Sequence, residues 1–238
     1  MTVATTHLLF DFFGTLVAYS ESRVEQGFQE SYALLREAGA QTTYAGFLDR
    51  WEATFQEFES LAQHDLHEFS MDAVCEVFLQ STVGRHSDTA AVAKFRDTYL
   101  AEWNKGVQYV PGVTELLANL AERFTLAVVT NTHHAELVHR HLDAMGAGPY
   151  FAAVITSVEH GKRKPSRCIF DQALARTGGT PEAAVYVGDS FSADYCGATE
   201  AGLRCFLIDP ASRHDVPEAD RLAHILELRH RLGQPAAG

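Results

Sequence analysis

The strongest constraint on the fold is a series of short apolar runs that alternate with helical patterns along the chain. The runs are rich in Val, Leu, Ile and Phe without polar alternation, which is typical of strands covered on both faces. Because strands alternate with helices, we predict an α/β fold with a doubly wound parallel sheet and right-handed crossovers. The strands are predicted at residues 8–10, 125–130, 152–156, 184–188 and 204–208, and the helices of this region at residues 113–123, 133–145, 168–176 and 193–201.

One long segment interrupts the alternation, because residues 21–104 contain helical patterns and no convincing strand. Phe47 and Trp51 belong to an apolar stripe at helical spacing, which predicts the core of a small helical bundle. Gly84 is a candidate helix-ending residue and Ser87 a candidate N-cap. The four helices are predicted at residues 23–38, 44–62, 70–81 and 90–104.

The position of this bundle, directly after the first strand, predicts two domains. Residues 1–18 and 106–238 are expected to form the α/β core, and residues 19–105 an inserted helical cap. A cap joined by two connectors near the strand ends is suited to act as a lid. A last helix is predicted over residues 219–232, where apolar residues recur at helical spacing.

The charge of the chain limits its partners. The 238 residues carry a formal net charge of −12, and the pI is about 5.4. A chain this acidic lacks the basic surface that nucleic acid or an anionic membrane requires, so we predict neither partner. No signal peptide and no apolar run of about 18 residues is recognised. Four cysteines without a C-x-x-C pair fit a reducing compartment, and we predict a cytoplasmic protein.

Polar residues directly follow the first two strands of the predicted core. Asp11 ends the first strand and precedes the turn residue Gly14, so its carboxylate is expected at the sheet edge beside backbone N–H groups. Such a carboxylate can attack an electrophile, although a turn-capping aspartate gives the same pattern. Thr130 and Asn131 end the next strand and can donate hydrogen bonds to phosphate or carboxylate oxygens; a polar turn is the alternative.

Charged residues follow two further strands. The basic run GKRKPSR contains Lys164, and Pro165 restricts the backbone beside it. A fixed lysine there can neutralise a nucleophile and a transferring group, whereas a solvated basic loop is the alternative. Asp189 and Asp194 follow another strand and, with Asp11, could supply hard oxygen ligands to Mg²⁺. Helix N-capping is the alternative for both of these aspartates.

Four segments, DFFGTL, VVTNT, GKRKP and VGDSFSAD, together resemble the ordered motifs of the haloacid dehalogenase (HAD) superfamily. The resemblance covers essentially the whole chain, including a helical cap after the first motif. It implies a hydrolase that forms a covalent aspartyl intermediate, acts on a small anionic substrate and uses Mg²⁺. The residues it implies are Asp11, Thr15 and Lys164 for catalysis, Gly14, Thr130 and Asn131 for substrate binding, and Asp11, Asp189, Asp194 and the backbone carbonyl of Phe13 for the metal.

Position 13 departs from the pattern of the phosphatases in this family. They usually carry a second aspartate there, which protonates the leaving group and later activates water, and a phenylalanine ring does neither. We favour a Mg²⁺-dependent phosphatase of a small phosphorylated metabolite, because Asp189 and Asp194 are retained. His64, His67, His133 and His134 are the candidates for the acid that replaces the missing aspartate.

Other activities of the family remain open. A 2-haloacid dehalogenase needs no acid at position 13, but such enzymes differ in the fourth motif and favour tyrosine where this chain has Phe170. They also use an early cap arginine, for which no matching context is recognised. A catalytically impaired binding protein is a further alternative. A carbon–phosphorus hydrolase is disfavoured, because no lysine occurs between Asp11 and Lys94 to form a Schiff base.

Overall fold

The computed structural model describes residues 3–19, 26–84 and 88–232, and the chain divides into two units. The core unit comprises Met1–Ala18 and Tyr109–Gly238, and the helical unit comprises Tyr19–Gln108. The chain passes between the units at two short strands, which pair as a separate two-stranded sheet. These strands are β2 (Val17–Tyr19) and β3 (Val107–Tyr109), and the preceding strand is β1 (His7–Phe10).

A six-stranded parallel sheet forms the centre of the core unit, in the order β5-β4-β1-β6-β7-β8. Its strands after β1 are β4 (Thr125–Thr130), β5 (Phe151–Thr156), β6 (Ala184–Gly188), β7 (Arg204–Ile208) and β8 (Arg221–Leu222). All residues of β1 and β6 are buried, as expected for strands covered on both faces. The predicted α/β fold with a doubly wound parallel sheet is therefore confirmed.

The helices of the described residues agree with most of the predicted ones. They are α1 (Gln29–Glu37), α2 (Tyr44–Asp65), α3 (Met71–Val83), α4 (Thr89–Trp103), α5 (Val113–Ala121), α6 (Ala135–Ala144), α7 (Ser157–His160), α8 (Arg167–Thr177), α9 (Gly197–Glu200) and α10 (Leu228–Arg231). A π-helical turn, Phe191–Cys196, precedes α9 where a regular helix from residue 193 was predicted. Within the described part of the chain, no helix combines the length and the apolar character that a membrane span requires.

One face of the sheet packs against α8 through a continuous apolar cluster. Leu9 of β1 is level with Ala127 of β4 and with Tyr186 of β6. Ile169 and Phe170 of α8 are completely buried in the same cluster. This packing stabilises the register of the neighbouring strands, and therefore the positions of the residues that follow their carboxyl ends.

The helical unit has an aromatic core of its own. Trp51 of α2 contacts Phe78 of α3 and Tyr99 of α4, with ring centroids 5.1 and 4.3 Å away. Gly84 ends α3 in the left-handed conformation, as predicted for a helix-ending glycine. The candidate N-cap Ser87 lies outside the described residues, and the side chain of Asp88 caps α4. The helical bundle predicted for this segment is confirmed.

The predicted helix over residues 219–232 is wrong. Most of this segment consists of 3₁₀ turns and the short strand β8, and α10 covers only its last turn. Arg221 reaches Asp209 at the end of β7, with 2.6 Å between Nη1 and Oδ2, and also donates to the carbonyls of His214 and Val216. These contacts and the pairing with β7 hold Arg221 and Leu222 in a strand, so tertiary structure overrides the helical periodicity.

Candidate active site

The carboxyl ends of the two central strands bring three aspartates together. Asp11 follows β1, and its N–H donates to the carbonyl of Val187 in β6 at 2.9 Å. Asp189 follows β6, and Asp194 lies in the π-helical turn after it. One carboxylate oxygen of each aspartate lies within 4.8 Å of the others. The predicted convergence of these residues at one sheet edge is therefore present in the structure.

Lys164 lies among these aspartates. Its side chain is 2% exposed, and Nζ is 2.8 Å from Asp11 Oδ1 and 2.6 Å from Asp194 Oδ1. Burial alone would lower the pKa of Lys164, but the charges of Asp11 and Asp194 outweigh burial and raise it. The group is therefore a fixed ammonium ion, and the solvated basic loop considered from the sequence does not describe Lys164.

The side-chain amide of Asn131 makes two hydrogen bonds with the backbone of Lys164. The N–H of Lys164 donates to Oδ1 at 2.8 Å, and Nδ2 donates to the Lys164 carbonyl at 3.1 Å. The peptide bond between Lys164 and Pro165 is cis. Asn131 thus links the end of β4 to the loop that carries the lysine. A contact between Asn131 or the buried Thr130 and substrate remains a prediction.

Asp194 is held on both carboxylate oxygens. Oδ2 accepts a hydrogen bond from the N–H of Ser190 at 2.8 Å, while Oδ1 faces Lys164. A Cβ atom at Gly188 would collide with this carboxylate. The π-helical turn packs Asp194 against the end of β6, and turns of this kind are frequent at functional sites.

Asp189 is held by the loop that follows β1. Thr15 donates from Oγ1 to Asp189 Oδ1 at 3.0 Å. Gly14 has a φ of +87°, and a Cβ atom there would collide with the carboxylate of Asp189. The glycine is therefore required both by its backbone conformation and by the close approach of Asp189. Thr15 acts here on Asp189, and its catalytic role remains a prediction.

The three carboxylates repel one another in a largely buried environment. Burial, followed by the charges of Asp11 and Asp194, raises the pKa of Asp189 to about 7. A cation would relieve this repulsion, and carboxylate oxygens are the ligands that Mg²⁺ prefers. The chemistry and spacing of the donors therefore fit a divalent metal ion. The backbone carbonyl of Phe13 remains a predicted fourth ligand.

The ring of Phe13 contacts aromatic side chains. Its centroid lies 5.0 Å from that of Phe12 and 6.0 Å from that of His141, both edge to face. The hydroxyl of Tyr109 is 2.9 Å from Nδ1 of His141, and burial lowers the pKa of this histidine. The expected acid–base position is thus occupied by an apolar ring with a neutral imidazole beside it. His141 was not among the histidines considered from the sequence.

Tyr186 is a site residue that the sequence analysis missed. It is fully buried in the middle of β6, and its hydroxyl lies 2.8 Å from Nζ of Lys164. Burial and the charges of Asp194 and Asp11 raise its pKa, so the hydroxyl stays protonated. A tyrosine inside the apolar strand AVYVG was the available signal, because a buried hydroxyl needs a hydrogen-bond partner.

Comparison with known proteins identifies the family. The chain is 28% identical over 233 residues, 95% of both chains, to the ribulose-1,5-bisphosphate 5-phosphatase of Halopiger xanaduensis. A 2-haloacid dehalogenase from Pseudomonas syringae pv. Tomato superposes with a TM-score of 0.69 at 25% identity, covering 96% of this chain and 98% of the other. A HAD phosphatase from Thermococcus onnurineus gives 0.66 at 25% identity, with the same coverage. Residues 42–208 match the family described as haloacid dehalogenase-like hydrolase, and the chain is a hydrolase that belongs to this family.

Proposed function

We propose that the protein is a Mg²⁺-dependent phosphatase that acts on a small phosphorylated metabolite through a covalent intermediate on Asp11. The observation that carries the proposal is the cluster of Asp11, Asp189 and Asp194 around the buried ammonium of Lys164. The similarity to a ribulose-1,5-bisphosphate phosphatase over 95% of both chains supports the same reaction class.

The proposed chemistry assigns each residue a separate task. Asp11 attacks the phosphorus atom, so a bond forms between its carboxylate oxygen and phosphorus while the bond to the leaving oxygen breaks. Lys164, 2.8 Å from Asp11, offsets negative charge as it develops. Thr130 and Asn131, at the end of β4, orient the phosphoryl oxygens. Water then attacks the phosphorus atom of the aspartyl phosphate, and the bond between phosphorus and the Asp11 oxygen breaks. The phosphoryl group leaves as dihydrogen phosphate, which keeps both protons of the water, and the carboxylate of Asp11 is restored.

The metal ion would be held by Asp11, Asp189, Asp194 and the carbonyl of Phe13. When bound, Mg²⁺ supplies positive charge that stabilises the phosphoryl oxygens and allows three carboxylates to remain ionised together. The protein contributes the fixed positions of the ligands, because Thr15 and the N–H of Ser190 hold the carboxylates of Asp189 and Asp194.

Phe13 narrows the class of substrate. An alkyl leaving group departs as a strong base and needs a proton, whereas an aryl or acyl group departs as a stable anion. The ring of Phe13 donates no proton, and the imidazole beside it has a lowered pKa. We therefore propose an acyl or aryl phosphate as the substrate class. The helical unit is proposed to act as a lid, and the cytoplasmic location remains a prediction.

A 2-haloacid dehalogenase is the second candidate. The aromatic residue at position 13 favours it, since halide leaves without a proton, and a solved 2-haloacid dehalogenase shares the fold. The aspartate cluster disfavours it, because halide displacement by Asp11 has no need of a divalent metal ion. We therefore favour the phosphatase over the dehalogenase.

A parallel assay of phosphate and halide release tests the proposal. We expect Mg²⁺-dependent release of phosphate from acetyl phosphate and p-nitrophenyl phosphate, and loss of this activity in EDTA. No chloride is expected from L-2-chloropropionate. Chloride release without phosphate release would establish the dehalogenase instead. If neither product forms and calorimetry detects no Mg²⁺ binding, the chain is a binding protein on this fold.

Replacing Phe13 with aspartate is expected to increase turnover of alkyl phosphates by about 10- to 100-fold, because it introduces the missing acid–base group. Turnover of p-nitrophenyl phosphate, whose leaving group needs no proton, should change much less. The measurement is kcat for both substrates at pH 6 and pH 8.

The matched control is Phe13→Leu, which also alters the contact with His141 but adds no acid. This variant should not gain activity towards alkyl phosphates. An equal gain in both variants would show that the size of the side chain, and not proton transfer, limits the wild-type protein.

A further inference from the structure

Tyr186 contributes the third contact of the Lys164 ammonium. Nζ of Lys164 is 2.8 Å from Asp11 Oδ1, 2.6 Å from Asp194 Oδ1 and 2.8 Å from the hydroxyl oxygen of Tyr186. An ammonium group has three N–H donors. The two aspartates and the tyrosine therefore satisfy all three, in a place where Lys164 and Tyr186 are essentially inaccessible to water.

The hydroxyl of Tyr186 is itself fixed. It accepts from Lys164, and its single proton faces two acceptors, the carbonyl of Val129 at 2.8 Å and Oδ1 of Asp194 at 3.0 Å. Val129 belongs to β4, whereas Tyr186 belongs to β6, and β1 lies between these strands. The side chain of Tyr186 therefore reaches across β1, and its hydroxyl contacts the backbone of β4 on the other side.

This arrangement restricts movement of the Lys164 ammonium towards either Asp11 or Asp194. Without the hydroxyl, one N–H of the ammonium would be buried without a partner, which is costly in a dry environment. The ammonium would then move to recover a contact, and its distance to Asp11 would change. Tyr186 provides a neutral oxygen that holds the ammonium in place without adding a further negative charge to the three carboxylates.

We infer that Tyr186 is a positioning residue of the reaction: its hydroxyl, tied to Val129 across the sheet, holds the Lys164 ammonium between Asp11 and Asp194. The kinetic consequence rests on the proposed phosphatase activity, whereas the structural consequence does not. Because Tyr186 is fully buried, we expect it to make no contact with substrate, so its loss should affect turnover more than binding.

The structural consequence is tested by NMR of the lysine ammonium groups in the metal-free protein. The chain has only four lysines, at positions 94, 105, 162 and 164. Replacing Lys94, Lys105 and Lys162 with arginine leaves Lys164 as the only lysine, and therefore as the only source of a lysine ammonium signal. We expect a slowly exchanging signal with a nuclear Overhauser contact to the ring of Tyr186, because Nζ lies 5.4 Å from the ring centroid.

In this background, Tyr186→Phe should accelerate the exchange of the Lys164 ammonium protons by about tenfold or more. With the native lysines, the same substitution should lower kcat by about 10- to 100-fold, because small displacements of catalytic groups have effects of this size. KM should stay within about threefold of the wild type, as expected for a group that does not touch substrate.

The matched control is Phe170→Leu. Phe170 packs edge to face on Tyr186, with ring centroids 5.2 Å apart, in the same apolar cluster. This variant should lower the melting temperature by about 2–6 °C, but leave kcat and the ammonium exchange unchanged. If it reproduces the effects of Tyr186→Phe, packing of the ring and not the hydroxyl is responsible, and the inference is overturned.

The outcomes separate this inference from the proposed function. If the wild type releases no phosphate but Tyr186→Phe accelerates ammonium exchange, the phosphatase proposal fails and the positioning of Lys164 stands. Unchanged exchange, or unchanged kcat in an active enzyme, refutes the inference. Should Tyr186→Phe fail to fold, the wild-type spectrum decides: absence of the contact between the ammonium protons and the Tyr186 ring refutes it.

Discussion

Asp11→Asn is expected to lower kcat for phosphate release by about 10⁴-fold or more, because the amide cannot attack phosphorus and loss of a nucleophile has effects of this size. The substitution preserves the shape of a side chain whose neighbour, Lys164 Nζ, lies at 2.8 Å. Two measurements check it: steady-state phosphate release, and transfer of ³²P from a labelled substrate to the protein. Both signals should disappear in the variant.

Asp171→Asn is the matched control for this experiment. Asp171 lies on α8 in the core unit, is about half exposed and pairs only with Arg167 among the contacts of the described residues, at 3.2 Å. Its replacement should leave turnover within about twofold, since exposed ion pairs contribute little. If the kcat of Asp11→Asn for phosphate release were within tenfold of the wild-type value, Asp11 would not be the nucleophile.

Lys164→Met should be the second most damaging change. It removes a buried ammonium and leaves the carboxylates of Asp11 and Asp194 without their common partner. Loss of one member of a buried ion pair costs about 3–5 kcal/mol in free energy of unfolding, and loss of a preorganised charge lowers kcat by about 10²–10³-fold. Denaturant unfolding in EDTA and steady-state kinetics measure the two effects.

The loss of stability in Lys164→Met should be greater at pH 8 than at pH 5. Burial, with the charges of Asp11 and Asp194, raises the pKa of Asp189 to about 7, above the value in the unfolded chain. The folded state therefore binds more protons than the unfolded state between these values, and protonation below pH 7 favours folding and relieves the repulsion. Equal losses at both pH values would contradict this account.

Lys162→Met provides the same chemical change two residues upstream. Lys162 is only partly buried, whereas Lys164 is buried. We expect stability within about 0.5 kcal/mol and little change in kcat. If Lys162→Met matched Lys164→Met, the basic character of the loop, and not the position of one ammonium, would be the essential feature.

The fold, and the place where the candidate site residues meet, were predictable because both follow from local sequence patterns. Short apolar runs predict the strands of the sheet. Polar residues that directly follow these strands, such as Asp11 and Asp189, are therefore expected at the carboxyl edge of the sheet. The structure places β1 and β6 side by side in register, so the two aspartates meet. Resemblance to a known family then supplied the expected roles.

The features that were not predicted from the sequence depend on contacts between residues that are distant in the chain. Tyr186 looks like any core residue of a strand, and its hydroxyl partners Lys164 and Val129 are 22 and 57 residues away in sequence. The segment around Arg221 has helical periodicity, but the carboxylate of Asp209 and the edge of β7 hold Arg221 and Leu222 in a strand. Propensity and periodicity describe neighbours in sequence, so they do not reveal such contacts.

The central place of β1 has a consequence for the order of events during synthesis on the ribosome. Its partner strands begin at Thr125 and Ala184, so the strand that leads to Asp11 emerges long before either. At usual translation rates, the apolar segment His7–Phe10 waits on the order of ten seconds for its first neighbour. The nascent chain must shield this segment from aggregation throughout that interval, and catalytic competence arises only when β6 has been made.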